Sequence, residues 1–77
     1  MKENNIIRIN LKKLREKRGL TQEALCCKLN ELGFFISRST YSKYETGDRN
    51  ISNEALIIFA KFFNTTTDYI LGLTSDE

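Results

Sequence analysis

Ser37-Arg38-Ser39-Thr40-Tyr41-Ser42-Lys43-Tyr44-Glu45-Thr46-Gly47 is the stretch on which the reading of this chain turns. It opens on a hydroxyl side chain able to accept a bond from the free N–H groups of a helix start. It closes on a glycine able to turn left-handed after a helix end. Between them only Tyr41 and Tyr44 look core-facing, so the helix this segment predicts is short and mostly polar. Helices owe most of their stability to an apolar face packed against a partner, and this one has little to bury. Its other face offers Arg38, Ser39, Ser42 and Lys43, with no carboxylate before Glu45. An ordinary solvated helix would more often mix Glu and Lys four residues apart. A face of donors and acceptors without negative charge suits the groove of a duplex, where phosphates repel acids and base edges accept hydrogen bonds.

The same punctuation recurs on both sides. Gly19, Gly33, Gly47 and Gly72 each follow a helical-looking segment, and Asn64 follows a fifth, which predicts five helices. The expected starts are Asn4 or Asn5, Thr21, Ser37, Ser52 and Thr66. Helix one is expected from Asn5 to Arg18, with Ile7, Leu11 and Leu14 on one face. Helix two is expected from Thr21 to about Leu32, with Leu25, Leu29 and Leu32 as its stripe. Helix four, Ser52 to Phe63, should bury Leu56, Phe59, Ala60 and Phe63, and a brief helix five closes the chain from Thr66 to Leu71. Thr65, Thr66 and Thr67 make a β-branched patch, but no alternating strand pattern, repeat or internal linker is visible. The fold class is all-α, one domain over residues 1–77 with its core at about 6–72.

Composition excludes several kinds of chemistry. With 77 residues, 40% hydrophobic and 29% charged, the chain reads as globular but too small for a deep cleft with a lid, since such a domain buries only about 60% of its unfolded surface. It contains no His, the commonest general base and metal ligand. Cys26 and Cys27 are adjacent, so they supply neither a spaced zinc pair nor a disulfide framework. No glycine-rich phosphate loop supports the remaining carboxylates and lysines. The expectation is therefore no enzyme, no metal, no cofactor and no small-molecule ligand. The longest apolar run, Ala55 to Phe63, is interrupted by Lys61 and falls short of the roughly 20 residues that cross a bilayer. No secretory signal opens the chain, and a cytoplasmic location is expected. The net charge of +2 hides an asymmetry: residues 1–49 hold eleven Lys/Arg against six Asp/Glu, and residues 50–77 hold one against four. A basic first two-thirds points to a polyanion-facing surface, although a solvated helical surface would explain the charge equally well.

Two blocks carry a family resemblance: Leu14-Arg15-Glu16-Lys17-Arg18-Gly19-Leu20-Thr21-Gln22-Glu23, and the stretch from Ser37 through Gly47-Asp48-Arg49. With Ala60-Lys61 and Asp68-Tyr69-Ile70-Leu71-Gly72 they resemble the phage repressor/Cro-like (Xre-type) helix-turn-helix family over about 65 residues. The resemblance implies a five-helix, lambda-repressor-like DNA-binding domain whose second and third helices, about 21–46, form the DNA-binding unit. It implies that Thr21 caps helix two and that Gln22 meets phosphate or a base edge. It implies that Arg38, Ser39 and Lys43 read bases, with Ser42 as a fourth, while Thr40 bonds phosphate or the local backbone. Arg49 and Asn50 fall where the family holds the sugar–phosphate chain. Arg15 and Glu45 match positions that pair, and Cys26, standing where the family usually has Ala, reads as a small buried residue.

The departure from the family lies between helices two and three. Asn30-Glu31-Leu32-Gly33-Phe34-Phe35-Ile36-Ser37 is about five residues longer than the usual stretch. Helix two should gain a turn and end at Gly33, Ile36 should fill the apolar position before the cap, and Phe34 and Phe35 should cover the end of the core. The function expected is that of a sequence-specific transcriptional regulator, a repressor, on a palindromic double-stranded DNA operator. The alternative is a helical protein-interaction module, a regulator or antitoxin partner, that keeps the fold without reading DNA. Helix four holds more apolar surface than so small a domain needs. A homodimer is therefore expected, with Ile58, Phe62 and Leu73 near its axis; the alternative is that Phe34 and Phe35 fold over this face and keep the chain monomeric. No effector or protease-like domain is visible, so any ligand sensing is expected from elsewhere.

Overall fold

The computed structural model describes residues 2–74. It contains α1 (Lys2–Lys17), α2 (Gln22–Glu31), α3 (Arg38–Thr46), α4 (Asn53–Phe62) and α5 (Thr67–Ile70), and no strand among the described residues. Four starts form as local chemistry dictates. The side-chain oxygens of Thr21, Ser37, Ser52 and Thr66 accept from the backbone N–H groups of Ala24, Thr40, Ala55 and Tyr69, each cap satisfying one orphan donor. The stops also hold: Gly19, Gly33, Gly47, Gly72 and Asn64 all adopt positive φ. The first helix starts earlier than expected, at Lys2, because asparagine costs a helix well under 1 kcal/mol and does not break it. The capping role expected of Asn4 or Asn5 falls on side chains outside the described residues.

The core gathers the predicted stripes of four helices. Ile7, Leu11 and Leu14 of α1 meet Leu25 and Leu29 of α2, Tyr41 and Tyr44 of α3, and Ala55, Leu56, Phe59 and Ala60 of α4. Phe59 is its aromatic centre, with edge-on contacts to Tyr41 at 5.7 Å, Tyr44 at 6.1 Å and Phe34 at 6.1 Å between ring centroids. Such pairs add about 0.5–1.5 kcal/mol each beyond the area they bury. The polar α3 is therefore held by two tyrosines rather than by a broad apolar stripe. Asn10 of α1 donates to the carbonyls of Tyr69 and Ile70, at 3.0 and 3.2 Å, and so seats α5 on α1.

Three expectations about burial need correction. Leu32 does not continue the α2 stripe: it is the C-cap and is 71% exposed. The N–H of Phe34 returns to the carbonyl of Leu29 at 3.0 Å, which closes the helix and sends Phe34 inward in its place. Phe35 does not cover the core either, being 82% exposed, while its neighbours Phe34 and Ile36 pack inward. On α4, Ile58 and Phe62 are half-buried against the core, and Ile57 is the exposed apolar residue. Phe62 is occupied by its neighbours, edge-on to Phe63 at 5.0 Å and under the Arg18 guanidinium at 5.8 Å.

Candidate nucleic-acid interface

The outer face of α3 follows from what its inner face must do. Tyr41, Tyr44 and Glu45 point inward and are buried, and this turns Arg38, Ser39 and Lys43 outward, where they are exposed. Ser42 is half-exposed beside them. The Ser37 hydroxyl accepts from the Thr40 N–H at 3.1 Å and donates to the Thr40 hydroxyl at 3.0 Å. The Thr40 side chain is thus tied to the Ser37 hydroxyl of the cap, rather than to the backbone group expected as one of its two partners. The acids that favour a helix start are present in the first turns of α2, α4 and α5 as Glu23, Glu54 and Asp68, and α3 has none. Beyond Gly47, the N–H of Arg49 returns to the Lys43 carbonyl at 3.3 Å, and Arg49 and Asn50 lie exposed just past the helix.

Behind this face lies a buried carboxylate. Glu45 is 8% exposed and receives Arg15 in a two-pronged pair, Nε to Oε2 at 2.7 Å and Nη2 to Oε1 at 3.1 Å. The remaining Arg15 prong, Nη1, donates to the Leu20 carbonyl at 2.8 Å. Tyr41 Oη donates to Oε2 at 2.6 Å and Gln22 Nε2 to Oε1 at 3.0 Å. Burial alone would raise the Glu45 carboxyl, but the bonds from Arg15, Tyr41 and Gln22, with the Arg15 charge, together hold it below the usual range. The Glu45 hydrogen bond raises the Arg15 guanidinium further, and burial, then Glu45, pushes the Tyr41 phenol up. The only acid within α3 is therefore neutralised on the inner side, and the outer face keeps its positive charge.

The network joins α1, the start of α2 and the end of α3. Gln22, expected to face DNA, has at least one amide N–H committed to Glu45 and is half-buried at the start of α2. Sequence reasoning missed this use of Gln22, and that of Tyr41. The signal available was a tyrosine one turn before a glutamate on a core-facing stripe. Thr21 spends an acceptor on the Ala24 N–H at 3.0 Å and stays exposed beside it. Cys26 of α2 is buried in the core, and burial, with Cys27 and Glu45, pushes its thiol up, the state of an inert packing residue.

This frame, two capped helices with the second presenting a basic, acid-free face, coincides with a family model. Residues 11–70 match the model described as "Helix-turn-helix". The chain belongs to the helix-turn-helix family. Three relatives from Bacillus subtilis (strain 168) are similar to it. The HTH-type transcriptional regulator AnsR is 42% identical over 64 residues, covering 83% of this chain and 53% of AnsR. The uncharacterized HTH-type transcriptional regulator YobD is 36% identical over 66 residues, 86% of this chain and 54% of YobD. The HTH-type transcriptional regulator ImmR is 36% identical over 62 residues, 80% of this chain and 45% of ImmR. The chain thus spans about half the length of the curated relatives it matches. No solved structure matches it significantly. Among the described residues, no helix is long and apolar enough to cross a membrane.

Proposed function

We propose that this chain binds double-stranded DNA in a sequence-specific way and acts as a transcriptional regulator, a repressor, with α3 in the major groove. The observation that carries the proposal is the α3 face. Arg38, Ser39 and Lys43 stand exposed on it, and its one acid is turned inward and paired with Arg15. Membership of the helix-turn-helix family, and relatives named transcriptional regulators, support the same reading; the family is one of regulators, not of enzymes. In this proposal Arg38, Ser39, Lys43 and Ser42 read base edges. Gln22 and Thr21, at the start of α2, and Arg49 and Asn50, past α3, hold the phosphates. A two-fold homodimer places two α3 helices one helical turn of DNA apart on a palindromic operator, with Leu73, Ile58 and Phe62 toward the axis.

Selection of bound fragments from a random DNA pool, followed by gel shifts across a salt titration, tests the proposal. A selected motif that retains binding at physiological salt is the expected result. Binding that is uniform across sequences and vanishes as salt rises would overturn it, and would favour a protein-interaction role on the same fold.

A further inference from the structure

The lengthened turn between α2 and α3 is built so that one large aromatic side chain cannot reach the core. Its start is held by the Gly33 N–H on the Asn30 carbonyl and the Phe34 N–H on the Leu29 carbonyl, both at 3.0 Å. Its end is held by the Ile36 N–H on the Asn30 side-chain oxygen at 3.0 Å. Phe34 packs edge-on against Phe59, and Ile36 is buried. With both neighbours turned inward and the backbone tied on either side, Phe35 stands out into solvent at 82% exposure. A polar residue would serve a solvated turn at this position better than a phenylalanine.

The position of Phe35 says what covers it. It lies two residues before Ser37, the cap of α3, and two residues of chain reach at most about 7 Å. If the N-terminal end of α3 enters the major groove, Phe35 is carried to the groove edge alongside Arg38 and Ser39. The base feature there that an aromatic ring can recognise is the C5-methyl group of thymine. A protein partner is less well supported: Leu32 is the other exposed apolar residue of the turn, and two such side chains fall far short of the roughly 800 Å² per partner that a specific interface buries. We infer that Phe35 is a specificity residue that packs against a thymine methyl at the flank of the site read by α3. This inference rests on the DNA-binding reading proposed above.

The test uses the full chain and a selected duplex in which each thymine is replaced in turn by uracil, which removes only the methyl group. Wild-type protein should lose about fourfold in affinity at one thymine, the equivalent of about 0.8 kcal/mol for one buried methyl-sized group. Phe35→Ala should bind the thymine duplex about fourfold more weakly and should no longer distinguish thymine from uracil there. Leu32→Ala should behave as wild type, and the melting temperature of Phe35→Ala should be unchanged, since the ring packs against little. If wild type binds its motif but no uracil substitution weakens it, or Phe35→Ala weakens every duplex alike, the thymine contact is wrong and the DNA-binding reading stands. If wild type selects no motif, that reading fails and takes this inference with it.

Discussion

At the scale of single residues, the proposed interface divides into side chains that would select and side chains that would hold. Arg38 and Lys43 stand on the exposed face of α3. Replacing either with Ala should weaken specific binding by about 1–3 kcal/mol and relax base preference at one or two positions. Arg49, past the helix, should act differently. Arg49→Ala should weaken all sequences alike and make the dependence of affinity on salt shallower by roughly one ion. A selected motif left intact at every position by Arg38→Ala would show that α3 does not lie in the groove. Arg15 and Glu45 work from behind. Their side chains are 11% and 5% exposed, so removing one partner should cost about 3–5 kcal/mol, although the intact pair adds little over a well-packed apolar substitute. Melts of Arg15→Met, Glu45→Met and the double variant check this, and additive losses would reject the coupling. The pair also sets a pH dependence. Unfolded, Glu45 titrates near the ordinary value of about 4.3, and folded it is held lower. Its contribution is complete at neutral pH, declines as pH falls below about 4.3, and is lost once pH passes below the folded value. Glu45→Gln should flatten that part of the melting profile.

Among the elements, the α2–α3 turn distinguishes this chain. Its register depends on Asn30, whose side-chain oxygen accepts the Ile36 N–H one residue before the α3 cap. Asn30→Ala leaves that donor without its partner, in a part-buried position, and should destabilise by about 1–3 kcal/mol. Asn30→Asp keeps an acceptor oxygen and should recover most of the loss in a denaturant titration. Equal losses for the two would mean that the turn is held by Phe34 and Ile36 alone. The turn also explains why Leu32, expected on the α2 stripe, is left outside while Phe34 packs on the core as expected. A stripe with Leu25, Leu29 and Leu32 in helical register is legible, but the point at which the chain leaves the helix is decided by competition. Phe34 finds the ring of Phe59 edge-on at 6.1 Å, whereas Leu32, at the C-cap, stays 71% exposed.

For the whole molecule, the charge asymmetry follows the order of the helices. The basic first 49 residues contain α1 to α3 and the buried acid, whereas residues 50–77, with one cation against four acids, carry α4 and α5. In the proposed dimer, built from the second half, the described acids Glu54 and Asp68 lie on α4 and α5 rather than on α3. Sedimentation of the free protein, and of its complex with a palindromic duplex, should show two chains per site. Leu73, 72% exposed, provides the cleaner variant: Leu73→Asp should weaken assembly without unfolding the chain, whereas Phe62→Asp also removes the contacts with Phe63 and Arg18. A one-to-one complex on a single half-site, unchanged by Leu73→Asp and Phe62→Asp, would reject the dimer.

What the sequence determined by itself was local. Thr21, Ser37, Ser52 and Thr66 bond N–H groups three residues on, and the left-handed stops at Gly33, Gly47 and Asn64 depend on the backbone freedom of one residue. Such interactions need no distant partner, so five helices and the outward face of α3 could be read in order along the chain. The pairing of Arg15 with Glu45 came from the family resemblance, since 30 positions separate them and no periodicity joins them. Tertiary structure alone decided the rest: Tyr41 and Gln22 converging on Glu45, Leu32 and Phe35 left outside, and Phe62 half-buried against Phe63 and Arg18. Each of these is a choice between side chains of similar hydrophobicity or polarity. It is settled by which of them reaches a partner from another helix, and that information appears only once the helices are packed.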